Sequence, residues 1–530
     1  MDIKQNIENG QCSLGIELGS TRIKAVLIGE SKIPIAIGFY DWENTLENGV
    51  WTYSIDDITN GLQQCYSRLK QDVFERFGVV LSRIKNIGIS AMMHGYMAFD
   101  SNDNLLTPFR TWRNTITEKE SKELTELFDF PIAQRWTISH FLKDIKDEKK
   151  YLNDIVFICT LASFVHYKLT GEKTIGIGDA SGMFPIDCVS RSYDIRCVEL
   201  FNDKYLSHSE RKLENLFPKI KLAGECAGEL TKIGALILDP SGDLESGSIC
   251  VPPEGDAETG MMATNSIAPR SGNISAGTSA FAMIVLEKPL TKVYRELDII
   301  MTPDGKPVAM SHSNNCTSDY DSWISLFSQV LESFDVNISK GQIYDVLLEK
   351  SLLSDPFCSN ILSYGYVSGE HITGFEEGRP ILIRYPDESL QIGEFMRSLL
   401  YSAICTVTKG LRLLVDNEDI KLERICGHGG FFKNAKVGGK IMSAALAIPV
   451  SIFTTAGEGG AWGMALLADY ASYKDELSLS QYLSEYVFHN IELEVYNATK
   501  EEVEGFESYF KRYKKGLPIE RSAIDYFKKV

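Results

Sequence analysis

The stretch that decides the fold is Ser13-Leu14-Gly15-Ile16-Glu17-Leu18-Gly19-Ser20-Thr21-Arg22-Ile23-Lys24-Ala25-Val26-Leu27-Ile28. It predicts two strands joined by a tight polar turn, with a carboxylate near the end of the first strand. The backbone N–H groups and hydroxyls of such a turn can hold a phosphate, and the carboxylate can face a metal ion. The candidate phosphate ligands are therefore Gly19, Ser20 and Thr21, with Lys24 following on the second strand, and the candidate metal ligand is Glu17.

The same pattern recurs in the second half of the chain as Ile274-Ser275-Ala276-Gly277-Thr278-Ser279-Ala280-Phe281-Ala282-Met283-Ile284-Val285. Gly277 and Thr278 are the candidate phosphate ligands of this second turn. Each turn alone is also explained by the ordinary preference of Gly and Ser for turns, and neither has the spacing of a Walker A loop. The repetition favours two related lobes that clamp a nucleotide.

Length and composition indicate a globular protein with more than one domain. The chain has 530 residues, too many for a single hydrophobic core, and is 44% hydrophobic and 24% charged. Its formal net charge of −18 argues against nucleic acid or an anionic membrane as a partner. The 11 cysteines form no CxxC pair and the N-terminus lacks an apolar core, so we expect a reduced, cytoplasmic protein.

Alternating strand and helix signals predict an α/β protein with two lobes of comparable size. We place the boundary just before the second hairpin, which gives an N-terminal lobe over 1–268 and a C-terminal lobe over 269–530. The C-terminal lobe ends in a polar, helical tail from Asp475. Aromatic side chains are expected to pack this tail onto the body of the lobe, namely Phe506, Tyr509, Phe510 and Tyr513.

Three longer helices are predicted from the spacing of apolar residues. The first covers 54–77, the second 155–169, and the third, which is mostly apolar, 393–415.

Asp256 is the candidate catalytic residue. It lies in a Gly-Asp-Ala turn just before the second hairpin. Phosphoryl transfer to a hydroxyl needs a carboxylate that orients and deprotonates the nucleophile. Glu254 and Glu258 are rivals within two residues, and Asp256 itself is also explained as an ordinary turn former.

Polar side chains end two consecutive strand-like segments of the first lobe, Met93-His94-Gly95 and Trp112-Arg113-Asn114. Ligands of α/β sheets bind at strand ends. Met93, His94, Trp112 and Arg113 are therefore candidate sugar contacts, with the indole covering an apolar sugar face. The alternative is a buried histidine beside methionine and a surface salt bridge from the arginine.

Glycine-rich segments of the second half are candidate nucleotide contacts. Gly427-His428-Gly429-Gly430 follows an apolar strand, where glycine lets a ring or a phosphate approach the backbone. A tight turn between strand and helix explains the same residues. The small residues from Ala456 to Gly463 form a nucleotide wall or allow close helix packing, and we favour packing for most of them.

Taken in order, these motifs resemble the FGGY carbohydrate kinases, members of the actin-like ATPase superfamily, over about residues 13–515. The resemblance implies two actin-like (ribonuclease H-like) lobes with an ATP and sugar cleft between them. It places Asp256 at the catalytic base and Mg²⁺ near Glu17, where the family usually has Asp. It also assigns the residues expected to contact ATP: Gly19, Ser20, Thr21, Lys24, Gly277, Thr278, Gly427, Gly429, Gly430 and Asn434.

Within the family, features of two subfamilies are combined. Met93-His94-Gly95 is similar to the xylulokinase segment that touches the ketose, whereas Asp256-Ala257 and Lys433-Asn434 are similar to ribulokinase motifs. Glu258 stands where ribulokinases usually have His, and it joins the candidate sugar contacts together with Asp256. A further departure is Ala444, where many relatives have Asp.

We therefore expect an ATP- and Mg²⁺-dependent kinase that phosphorylates the terminal hydroxyl (O5) of a ketopentose, xylulose or ribulose. The alternatives are a kinase for another polyol or ketose, such as glycerol or a deoxyhexulose, and a non-catalytic actin-like sugar sensor. The expected partner is the small sugar alone, with no nucleic acid and no membrane, and a homodimer stays open.

Overall fold

Both predicted hairpins are present. The first joins Ser13–Leu18 to Arg22–Ile28, and the second joins Ser271–Ala276 to Ala280–Val285, each with antiparallel pairing. The computed structural model describes residues 2–209, 211–386, 389–453 and 459–528.

Each hairpin lies inside a seven-stranded sheet. The first sheet contains, in spatial order, Gly228–Glu229, Ile249–Cys250, Asn86–Ala91, Ser13–Leu18, Arg22–Ile28 and Pro34–Asp41, with Glu254–Gly255 also paired to Asn86–Ala91. The second contains Leu297–Met301, Pro307–Ser313, Ala280–Val285, Ser271–Ala276, Arg424–His428, Val450–Phe453 and Leu493–Tyr496. In both, the first hairpin strand also pairs in parallel with a strand reached through a helix. This shared order confirms the predicted two-lobed α/β fold.

Helices cover the sheets of both lobes. Their bounds are Ile3–Glu8, Ile55–Phe77, Glu118–Phe128, Thr137–Lys146, Leu161–Thr170, Ile177–Ser181, Ile195–Tyr205, Lys232–Leu238, Asp256–Ala263, Ser318–Glu332, Lys340–Leu352, Ile392–Glu418, Ala435–Leu446, Gly459–Tyr470, Leu479–Gln481 and Lys500–Tyr526, with short 3-10 turns at Lys150–Asp154, Leu213–Asn215 and Gly430–Phe432. Smaller two-stranded sheets use Thr45–Glu47, Val50–Thr52, Met97–Phe99, Phe157–Cys159, Thr174–Gly176, Ile186–Asp187, Ser192–Tyr193, Lys219–Lys221, Ile361–Tyr364 and Ile381–Arg384.

The helix Ile55–Phe77 confirms the prediction for 54–77 and shows why the sequence folds there. Ser54 and Asp57 form a capping box at its start, and Gly78 ends it in the left-handed conformation. Its apolar face lies so close to the sheet that a Cβ on Gly38 would come within 2.2 Å of the Cys65 carbonyl oxygen.

Two local predictions were wrong. The segment 155–169 is not one helix, because Phe157–Cys159 is a strand and Thr160 caps a helix that begins at Leu161. A short apolar run fits a buried strand as well as a helix. Asp256 is not in a turn but is the first residue of the helix Asp256–Ala263.

The long apolar helix predicted over 393–415 is confirmed as Ile392–Glu418. Within the described ranges it is the one helix long and apolar enough to cross a membrane. Of its 18-residue apolar stretch, 78% is buried inside the protein. It is therefore a core helix of the second lobe.

The C-terminal tail is only partly helical. After a π-helical segment at Tyr482–Val487, the strand Leu493–Tyr496 extends the second sheet, and the helix Lys500–Tyr526 follows. The four predicted aromatic residues are confirmed as buried in the core of the second lobe: Phe506, Tyr509, Phe510 and Tyr513.

The helix Gly459–Tyr470, here called the bridging helix, follows strands of the second sheet but packs on the first. A Cβ on Gly15 would lie 2.2 Å from the Ala461 carbonyl oxygen, so the helix backbone rests directly on the first strand. Near the other end of the helix, the Asp469 carboxylate lies 2.6 Å from Nζ of the buried Lys32. The bridging helix thus fastens the C-terminal half of the chain to the first lobe.

Close packing, predicted for most of the run from Ala456 to Gly463, is seen in its described part. A Cβ on Gly463 would lie 1.9 Å from the Thr259 carbonyl oxygen, so the bridging helix and the helix Asp256–Ala263 touch backbone to backbone. The residues at 456–458 lie outside the described residues.

Candidate active site

Asp256 lies where three parts of the first lobe meet. It follows the short strand Glu254–Gly255, which pairs with Asn86–Ala91, and it begins the helix that contacts the bridging helix. Its Oδ1 accepts a hydrogen bond from the Met93 N–H at 3.0 Å. The predicted base and the predicted sugar segment are therefore directly connected.

The side chain of Asp256 is more exposed than those of the two neighbouring glutamates that are alternative candidates for the base. Glu254 is 1% exposed and Glu258 is 0% exposed, whereas Asp256 is half-buried. Burial raises the pKa of Asp256 above its ordinary value, although backbone N–H groups at Met93 and Ala257 oppose that shift. Of the three carboxyl groups, Asp256 is the one placed to reach a ligand, and its environment favours proton acceptance.

His94 has a strained backbone, with φ of 71°. Its Nδ1 lies 3.3 Å from the Gly182 carbonyl oxygen, and its ring stacks on Trp136 with centroids 6.5 Å apart. Burial, together with the charge of Arg135, lowers the pKa of His94 well below its usual value. The imidazole is thus neutral and oriented, a state suited to hydrogen bonding with hydroxyls.

Three aromatic side chains hold the first turn. Trp42 Nε1 donates to the Gly19 carbonyl at 2.7 Å, and the Tyr53 hydroxyl donates to the Ser20 carbonyl at 2.5 Å. Trp112, which the sequence placed on the sugar, donates from Nε1 to Ser20 Oγ at 3.0 Å and leaves 38% of its surface exposed. The prediction that Trp112 ends a strand was wrong, because it lies in the loop between Met97–Phe99 and Glu118–Phe128. That loop contacts the first turn directly.

Arg113 makes its described contacts elsewhere. It is exposed, its Nη1 donates to Asn44 Oδ1 at 2.9 Å, and its guanidinium lies 4.0 Å from the ring centre of Trp51. These contacts connect it to the two-stranded sheet before the first long helix, at the strand Val50–Thr52 and the residue before Thr45–Glu47.

Glu17 connects the first hairpin to the bridging helix. Its Oε2 accepts a hydrogen bond from the Ala461 N–H at 3.0 Å, near the helix N-terminus. Burial and the neighbouring charge of Asp256 raise the pKa of Glu17 to about 7, while Lys24, opposite it in the hairpin, acts in the other direction. In the described part of the chain, no group of three or more His, Cys, Asp or Glu side chains forms a metal-binding cluster.

The second turn contacts the glycine-rich segment. Gly429 has φ of 94°, and a Cβ there would lie 2.6 Å from the Ala276 carbonyl oxygen. A Cβ on Gly430 would lie 3.9 Å from the Cα of Gly277. Thr278 is exposed at the tip of the turn. These candidates from two distant segments are therefore adjacent in space.

Two other nucleotide candidates have structural roles of their own. A Cβ on Gly427 would lie 2.5 Å from the ring of Phe432, so this glycine makes room for an aromatic side chain. Asn434 caps the helix Ala435–Leu446, because its Oδ1 accepts the Val437 N–H at 3.2 Å.

Asp179 also belongs to the site, although the sequence did not predict it there. Its Oδ2 accepts a hydrogen bond from Thr160 Oγ1 at 2.5 Å, and its N–H donates to Glu254 Oε2 at 2.9 Å. Burial raises the pKa of Asp179 to about 7, with Asp256 adding to the shift. The polar segment Asp179-Ala180-Ser181-Gly182 was the only indication of this in the sequence. That it lies close to Asp256 becomes visible only in the folded structure.

A contact between the lobes was also missed. Arg135 of the first lobe pairs with Asp298 of the second, and the Met301 N–H donates to Ser181 Oγ at 3.0 Å. The Arg135 carbonyl also accepts the Gly95 N–H. The sugar candidates therefore lie next to a contact between the two lobes.

Comparison with known proteins decides the family. The FGGY family model of carbohydrate kinases, N-terminal domain, matches residues 12–238, and the C-terminal domain model of the same family matches 272–472. The chain belongs to the FGGY family of carbohydrate kinases. It is a sugar kinase that transfers a phosphoryl group, and the family implies ATP as the co-substrate.

Individual FGGY kinases resemble the chain over nearly its whole length. A xylulose kinase from Haemophilus influenzae is 23% identical over 525 residues, covering 94% of this chain and 98% of that protein. The crystal structure of a gluconate kinase from Lactobacillus acidophilus has a TM-score of 0.80 at 16% identity, covering 98% and 99% of the two chains. A ligand-bound xylulose kinase from Lactobacillus acidophilus has a TM-score of 0.79 at 15% identity, covering 97% and 99%. These structures share the fold of this FGGY kinase.

Proposed function

We propose that this FGGY kinase transfers the γ-phosphoryl group of ATP to the terminal hydroxyl (O5) of a ketopentose, xylulose or ribulose. The observation that carries the proposal is the position of Asp256. This accessible carboxylate is held by the Met93 N–H beside the neutral His94 and lies close enough to Glu17 of the first turn to raise its pKa. The resemblance to xylulose kinase supports a ketopentose.

The proposed reaction uses Asp256 as general base. The sugar hydroxyl donates its proton to the Asp256 carboxylate while its oxygen forms the new bond to the γ-phosphorus, and the bond to the ADP oxygen breaks. The turns at Gly19–Thr21 and Gly277–Thr278 hold the phosphoryl oxygens through backbone N–H groups and hydroxyls. His94 and Trp112 orient the sugar, with Met93 and Arg113 as further candidates, whereas the fully buried Glu258 is not placed to reach it.

The residues present fit Mg²⁺. Protein sites for this ion usually supply one or two carboxylates and leave the other positions to water and phosphate. Glu17 supplies such a carboxylate beside the first turn, and the mutual repulsion of Glu17 and Asp256 is what a cation relieves. When bound, Mg²⁺ neutralises charge on the phosphates of ATP.

Replacing Glu17 with Gln tests this assignment. The amide can still accept the Ala461 N–H but carries no charge, so the Mg²⁺ concentration needed for half-maximal rate should rise at least about tenfold. The matched control is Glu17→Asp, which keeps the charge and should stay nearer the wild type. Unchanged Mg²⁺ dependence in the Gln variant would show that the hairpin holds phosphate but not metal.

Replacing Gly429 with Ala tests the nucleotide side. The new Cβ is strained at φ of 94° and collides with the Ala276 carbonyl, so the second turn must shift. We expect KM for ATP to rise about tenfold with a smaller change in KM for sugar. Gly374→Ala is the control, because Gly374 also has positive φ but open space for a Cβ. Equal effects of the two substitutions would argue against a nucleotide at this turn.

The function itself is tested by ADP release with a panel of sugars. Wild-type protein with ATP and Mg²⁺ should release ADP with xylulose or ribulose. Turnover only with glycerol or a deoxyhexulose would show that the substrate is that compound and not a ketopentose. Sugar binding, measured by calorimetry, without sugar-dependent ADP release would favour the sugar sensor.

We further propose lobes at 1–268 and 269–530, with the bridging helix as the part of the second that packs on the first. Nine of the eleven cysteines are buried and none is in a disulfide, which supports a reducing, cytoplasmic location.

A further inference from the structure

The two glutamates that flank Asp256 are buried without the partners that a carboxylate needs. Glu258 is 0% exposed, and within the described residues neither of its oxygens has a hydrogen-bond partner. Glu254 accepts the Asp179 N–H through Oε2, but its Oε1 has no partner there. Buried polar groups are nearly always hydrogen-bonded, and an unpaired buried charge is very costly.

The two carboxyl groups are close neighbours. Both lie against Gly178, since a Cβ on that glycine would be 2.5 Å from Glu254 Oε2 and 2.9 Å from Cδ of Glu258. Two carboxylates this near in a buried site cannot both be ionised. A proton on one of them removes one of the two charges and supplies a hydrogen-bond donor where none is present.

The surroundings contain further acids. Asp179, on the helix Ile177–Ser181, acts on both glutamates as a like charge. Asp256, on the helix of Glu258, acts on Glu258 in the same way. Glu17 faces Asp256 from the first hairpin. His94 follows Met93, whose side chain packs against Gly255. Burial and these neighbours raise the pKa of both Glu254 and Glu258 well above the usual range.

We propose that Glu254 and Glu258 share one proton as a carboxyl pair behind Asp256, so that loss of this proton destabilises the fold as pH rises. Two buried carboxyl groups with unpartnered oxygens, packed against one glycine, carry this inference.

The shared proton is tested without activity, by thermal unfolding as a function of pH. The folded pair keeps a proton that the unfolded chain releases above a pH of about 4.3. The folded state then binds more protons, so wild-type stability should fall as pH rises above that value. Glu258→Gln should flatten the slope, because its amide N–H replaces the shared proton.

Two control variants distinguish the effect of losing the shared proton from the effect of losing side-chain packing. Glu258→Ala offers no donor and should lower Tm throughout, whereas Glu199→Gln, an exposed substitution, should keep the wild-type slope. A Glu258→Gln variant that folds and keeps the full wild-type slope would overturn the shared proton.

Discussion

Asp256→Asn is expected to lower kcat by a factor of about 10² or more. The asparagine cannot take the proton of the sugar hydroxyl, although its Oδ1 can still accept the Met93 N–H that holds the residue in place. The substitution also removes the like charge that Asp256 places beside Glu17, so Tm should stay at or above the wild-type value. Steady-state ADP release and a thermal melt measure the two quantities.

Two further measurements make the test of Asp256 more specific. KM for ATP should change little, because Asp256 is assigned to the sugar hydroxyl and not to the nucleotide. The exposed Glu199→Gln variant provides the matched acid-to-amide control and should retain wild-type kcat. Near-normal turnover in Asp256→Asn would remove Asp256 from the role of base.

Gly463→Ala is expected to destabilise the fold by about 3 kcal/mol. The new Cβ would lie 1.9 Å from the Thr259 carbonyl oxygen. Because the atoms that it meets belong to the backbone, no side chain can rotate to relieve the collision. The bridging helix and the helix of Asp256 must then separate. We therefore expect a lower midpoint of urea unfolding together with a lower kcat, since Asp256 begins the displaced helix.

Gly341→Ala is the control for the effect of alanine on a helix. Gly341 lies in the helix Lys340–Leu352, where nothing lies within 4 Å of a new Cβ. Alanine favours helix over glycine by up to about 1 kcal/mol, so this variant should be as stable as the wild type or more stable. Equal stability of the Gly463→Ala and wild-type proteins would contradict the close contact between the two helices.

The hairpins could be predicted from sequence because their signals are local. Alternating apolar residues around Gly19 and Gly277 specify strand, turn and strand within sixteen residues or fewer. The buried tail aromatics were predictable for the same reason. The strand Phe157–Cys159 was missed because a three-residue apolar strand has no period that distinguishes it from the start of a helix.

The parts that escaped prediction depend on contacts between distant segments. Nothing near Gly15 indicates that Ala461 will rest on it, and nothing near Asp179 indicates that Glu254 will accept its N–H. Such contacts follow from sheet order and strand register. The sequence could therefore nominate Asp256 as base but could not show the acids behind it.

The most direct test of the central claim is the identity of the phosphorylated product. Wild-type protein should be incubated with ATP, Mg²⁺ and either xylulose or ribulose, and the product followed by ³¹P and ¹³C NMR. We predict a phosphomonoester on O5 of one of the two ketopentoses, formed in step with ADP and absent with Asp256→Asn. A phosphate on another hydroxyl, or ADP release without any sugar phosphate, would contradict it.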